Sequence, residues 1–178
     1  MTRIALLLCA AALAGLPVHA QNQSRPKAAP KFAIDFPAGW TQTPDGDNIE
    51  ARAPDSVGDA WCRANSNDMP SLANNTQDQL NADFAEPWNA QTWSDVLTVQ
   101  KGKLLPFEAV AKIVDGRRVQ EVTLVLDESV FGKKVTGRFS SQVLVGRMVN
   151  AACFTRSETF DDLKPLFQAT MDSLKPVG

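Results

Sequence analysis

The chain has 178 residues, 44% of them hydrophobic and 21% charged, with a formal net charge of −2. That length suits one domain with a substantial core, and the near-balanced charge excludes nucleic-acid binding driven by a basic face. Beyond its start the chain has no stretch near the roughly 20 apolar residues that a membrane-spanning helix needs, so no membrane span is expected.

Arg3, an apolar run over 4–16 and the ending Pro17-Val18-His19-Ala20 have the three parts of a secretory signal, with cleavage expected between Ala20 and Gln21. Cys9 lies inside the run without the small residue that precedes a lipidated cysteine, and no Arg-Arg pair marks export of a prefolded, cofactor-loaded protein. A periplasmic or secreted protein is therefore expected, and loss of Arg3 takes its net charge from −2 to −3. Residues 21–30 are polar and bear two prolines, as a flexible tether does, and 31–178 are read as a single domain.

Residues 32–36 alternate apolar and polar as a half-buried strand does, and Pro37-Ala38-Gly39 stops it. Residues 49–53 and 60–64 read as two further strands, with turn chemistry at Pro54-Asp55 and Gly58 between them. Thr76 and Gln79 have the spacing of a capping box, and Leu80 and Phe84 then share one face of a short helix that Pro87 must end or restart. Residues 88–97 form a second helical piece. Strands follow over 107–114 and 117–126, joined by Asp115-Gly116, a type I′ hairpin signal. Two more strands, 134–145 and 147–155, meet at Gly146. Past Ser157, the residues Phe160, Leu163, Phe167, Met171 and Leu174 recur at three and four, which predicts a helix facing the sheet. Because proline breaks a helix interior, a turn over 160–163 followed by a main helix starting near Pro165 is expected.

Hairpin-joined strands pair antiparallel, and helices between and after them make an α+β fold: a sheet of six or seven strands covered by helices. The opening FAIDFPAGW, the short hairpin, the helical middle, the long meander and the ending CFTRSETFDDLKPLFQATMDSLKP resemble the PsbP-like family over about residues 32–176. The resemblance implies an α/β/α sandwich and a non-enzymatic accessory or binding module. No residue-level site carries over with it.

Cys62 and Cys153 are the thiols that outlast the leader, and in an oxidising compartment the simplest arithmetic joins them in a disulfide, the alternative being two separate buried thiols. The one histidine, His19, leaves with the leader and tyrosine is absent, so nucleophilic triads and imidazole metal sites have no residues to use. No catalytic residue and no metal ligand is assigned. Asp45 and Asp47 begin like a calcium loop, which then fails at Ile49, at Glu50 where a glycine belongs, and at Ser56. Asp161 and Asp162 suit a helix start, and no glycine-rich phosphate loop exists, so no cofactor is expected. Of four tryptophans, Trp88, Trp93 and Trp40 are the candidates for ligand or partner contact.

The leading expectation is a non-enzymatic binding or accessory module with a protein or small-molecule partner in the cell envelope. A carboxylate- or hydroxyl-dependent hydrolase and an envelope stress or structural protein without a small ligand are the alternatives.

Overall fold

Strand β4 (Trp61–Asp68) and strand β8 (Arg147–Arg156) lie side by side and antiparallel, with Cys62 directly opposite Cys153. The two cysteines form a disulfide with Cα atoms 4.0 Å apart. The structure, a computed structural model, describes residues 31–97, 103–128 and 132–177. The expected leader, the cleavage point at Ala20 and Gln21, and the tether over 21–30 lie outside the described residues.

Around this pair the chain builds an antiparallel sheet of seven strands in the order β2-β3-β4-β8-β7-β6-β5. The others are β2 (Thr41–Asp45), β3 (Asn48–Arg52), β5 (Leu104–Val114), β6 (Arg117–Leu126) and β7 (Val135–Leu144). Among the described residues three α-helices cover it: α1 (Gln77–Asp83), α2 (Ala90–Leu97) and α3 (Phe160–Ser173). A separate two-stranded ladder joins β1 (Phe32–Ala33) to β9 (Lys175–Pro176) and ties the start of the domain to its end.

The local signals act as their chemistry demands. Asp115 (φ 49°) and Gly116 (φ 76°) both take the left-handed region that a type I′ turn needs between β5 and β6. Thr76 caps α1 by accepting from the Gln79 amide at 3.2 Å, while Gln79 Oε1 accepts from the Thr76 amide at 2.7 Å.

Two expectations are corrected. Of 32–36 only Phe32–Ala33 is a strand, and the edge of the main sheet beside β3 is Thr41–Asp45. That strand is exposed along its whole length and contains Pro44, so it has no alternation to betray it, whereas an edge position tolerates a proline. Helix α3 also runs unbroken through Pro165. The missing N–H there deprives only the carbonyl of Asp161, an exposed residue in the first turn that water can serve.

Two cores form, one on each face. Under α3, the side chains of Phe160, Phe167 and Met171 pack with Trp40 onto the small residues Ala51, Cys62, Ala64, Ala151 and Cys153. Under α1 and α2, Leu80, Trp88 and Trp93 pack onto Val122, Leu124, Val135, Phe139 and Val143. Beside α3 a charged network fastens the helix to the far strands. Lys164 donates to both carboxylate oxygens of Glu108, at 3.0 and 2.9 Å, and Arg138 lies 3.5 Å from Glu108 and 3.6 Å from Glu121. The Lys164 hydrogen bond first, and the one from Thr123 next, hold the Glu108 carboxyl below the usual range.

The bridge closes a loop of 91 positions, for which restriction of the unfolded chain amounts to about 4–5 kcal/mol, and bridges of this kind typically deliver about 2–4 kcal/mol. The double substitution Cys62→Ala with Cys153→Ala is expected to lower unfolding free energy by that amount in urea melts; an unchanged midpoint would contradict this.

Candidate functional site

The helical layer of α1 and α2 covers one half of its sheet face. Gln120, fully buried on β6, pins the segment between these helices: its Nε2 donates to the carbonyls of Phe84 (2.6 Å) and Glu86 (3.2 Å), and its Oε1 accepts from the Trp88 amide (3.2 Å). Asn81 of α1 accepts from the Arg118 amide at 2.8 Å and donates to the Gly116 carbonyl at 2.9 Å. Both anchors sit on or beside β6, so the layer stays over β5, β6 and β7. The same face of β3, β4 and β8 is left as an open groove of about 750 Å³.

Side chains alternate along a strand, so the inward-facing cysteines set what the groove receives. With Cys62 and Ala64 turned to α3, Trp61, Arg63, Asn65 and Asn67 of β4 face the groove; with Cys153 and Ala151 turned the same way, so do Phe154, Ala152 and Asn150 of β8. Glu50 and Arg52 of β3 complete the floor, and Asp59 and Lys133 close one end.

At that end the Trp61 and Phe154 rings stack, with centroids 5.5 Å apart and planes inclined by 29°. Toward the other end runs an amide ladder. Ser141 Oγ donates to Asn150 Oδ1 at 2.7 Å, Asn150 Nδ2 donates to Asn65 Oδ1 at 3.1 Å, and Asn67 stands exposed beyond them. Arg63 donates to Asn48 Oδ1 at 3.2 Å. The acids are tied to cations, Glu50 to Arg52 at 2.7 Å and Asp59 to Lys133 and, at 3.6 Å, to Arg156.

The tryptophans singled out from the sequence lie elsewhere. Trp93 is fully buried, Trp88 is 8% exposed, and both stand in the core beneath α1 and α2 with indole nitrogens that have no partner among the described residues. Their rings pack 4.9 Å apart, and Trp93 meets Phe139 at 5.1 Å, so they buttress the groove wall from behind. Trp40 is buried in the α3 core, away from the groove. The tryptophan that lines the groove is Trp61, which the sequence signals only through the alternation of Trp61-Cys62-Arg63-Ala64-Asn65 once Cys62 is placed inward. Among the described residues no group of acids and cysteines has a metal-holding arrangement.

No protein-family model matches the chain, and no curated protein matches it. The fold is PsbP-like. The cyanobacterial PsbP protein (CyanoP) of Synechocystis sp. PCC 6803 is 16% identical, with a TM-score of 0.54 over 82% of this chain and 86% of that one. The protein of unknown function PA94 of Pseudomonas aeruginosa is 12% identical, with a TM-score of 0.53 over 80% and 90%. Identities this low speak to the fold alone.

Gly137 on β7 lies opposite Phe154, whose ring covers it: a Cβ there would stand 2.2 Å from Phe154 Cδ1 and 2.8 Å from the Cys153 carbonyl. Gly137→Ala is expected to cost about 1–3 kcal/mol and to displace the Phe154 ring from Trp61, read as lost ring-to-ring nuclear Overhauser contacts. Retained contacts at full stability would refute the geometry of the groove floor.

Proposed function

We propose that the protein is an exported, non-enzymatic binding or accessory module of the cell envelope, and that the groove over β3, β4 and β8 is its working surface. The observation that carries this reading is the half-covered sheet face. An antiparallel sheet can leave one face to water, but here the open half holds a stacked aromatic pair and a row of amides inside a concave surface, the composition of a binding site.

The hydrolase alternative fares less well on the same ground. It requires two acids that converge on one point with pKa values pushed apart, and in the groove Glu50 and Asp59 each point their charge at a cation. On the opposite face Glu108 is displaced downward, the direction that suits an ion pair and opposes a general acid. Export rests on the leader and on the disulfide, whose formation suits an oxidising compartment. Among the described residues no helix is long and apolar enough to cross a membrane.

Two measurements test the proposal. Protein recovered from the periplasm or culture medium should have a mass that begins at Gln21, and its thiols should react with alkylating agent only after reduction. The same material, isotope-labelled and titrated with a small-molecule extract of that compartment, should show shifted amide signals concentrated on Trp61, Arg63, Asn65 and Asn150. Shifts elsewhere, or none, would remove the groove from the account; a retained leader would remove export.

A further inference from the structure

We infer that the groove binds a saccharide, with the flat C–H face of one sugar ring against the Trp61 indole, which buried Phe154 backs, and the ring hydroxyls on the amides of Asn65, which buried Asn150 orients, and Asn67 and on the guanidinium of Arg63. The inference rests on the groove being the working surface and names what it takes.

The lining discriminates among ligand classes. An anionic ligand needs unmatched positive charge, and Arg52 and Lys133 are already engaged by Glu50 and Asp59. Among the described lining cations only Arg63 makes its contact with a neutral group, the Asn48 amide, which leaves one unmatched charge where a multiply charged anion needs two or more. A purely apolar ligand would strip water from these amides and charges without replacing their hydrogen bonds. A peptide that adds to a sheet needs a free strand edge, and β3, β4 and β8 are each paired with neighbours on both sides.

A saccharide meets what remains. Each hydroxyl both donates and accepts, as each asparagine amide does, so an amide ladder can serve a row of hydroxyls without a charge mismatch. An indole offers a flat apolar surface with a polar edge, which complements the alternation of C–H faces and hydroxyl rims in a sugar ring. The spacing also suits a chain of rings. Trp61, Arg63, Asn65 and Asn67 share one face of β4 at every second residue, a row about 20 Å long at strand rise.

The disulfide-bonded protein purified from its export compartment is titrated with maltotriose and chitotriose, and in parallel with trialanine and inorganic phosphate, while the Trp61 indole N–H and the Asn65, Asn67 and Asn150 side-chain amide signals are followed. One of the trisaccharides is expected to shift all four groups saturably with a Kd of about 1 mM or tighter, and the double variant Arg63→Ala with Asn67→Ala is expected to weaken it at least about tenfold. Both substituted residues are exposed, so the variant should keep the wild-type melting temperature, and a melt run beside the titration checks this. Equal or larger shifts from trialanine or phosphate, or no groove shifts from either trisaccharide, would overturn the saccharide assignment. Groove shifts with the compartment extract but with neither trisaccharide sink the ligand class alone; an extract that leaves the groove unshifted sinks the groove as well.

Discussion

The Cys62–Cys153 bridge joins two directly opposed residues of neighbouring antiparallel strands, and much of the molecule follows from that placement. Side chains on a strand alternate, so a covalent bond between β4 and β8 fixes both their register and which face each residue occupies. A slip of one residue would carry Trp61, Arg63 and Asn65 into the α3 core and turn Ala64 and Cys62 to water. The bridge makes that slip covalently inaccessible.

Each face has a matching composition. On the α3 side the two bridged strands present Ala64, Ala151 and the disulfide itself, small groups that let Phe160, Phe167 and Met171 approach the sheet closely. On the other side they present an indole, a guanidinium and three amides, side chains that are costly to bury unless each finds a partner. The α1–α2 layer does not need to cover them, because Gln120 and Asn81 hold it over β5 to β7, where Val122, Leu124 and Val143 supply apolar surface. The groove is the region between a layer pinned on one side and a sheet that continues beyond it.

What the sequence made legible is what short-range chemistry controls. The Asp115-Gly116 turn demands two left-handed residues, the Thr76 and Gln79 pair satisfies its own helix end, and the five apolar positions of the last helix share one face; each of these needs only its neighbours. The α+β class followed from the order of such elements, and the PsbP-like arrangement from the resemblance of the opening, the element order and the ending to that family. Where burial depends on distant partners the reading was weaker. Residue type marks Trp88 and Trp93 as ligand contacts, yet their environment is set by Phe139 and Gln120, which lie more than twenty positions away in the chain. Trp61 was legible in principle, through its parity relative to Cys62, but only after asking which way the cysteine pointed. Strand β2 carries no apolar alternation because both its faces meet water, and Pro165 stays within its helix because the bond it forfeits lies at an exposed end.

The parity set by the bridge turns Trp61 outward and keeps the other three tryptophans in. Hydroxyl-radical footprinting with mass-spectrometric readout reports on all four in one experiment, because oxidation of an indole follows its contact with solvent. Rapid oxidation of Trp61 is expected, with Trp40, Trp88 and Trp93 protected until the protein unfolds. Rapid oxidation of Trp88 or Trp93 with Trp61 protected would contradict it, since that result would place the open face of the sheet beneath α1 and α2 rather than over β3, β4 and β8.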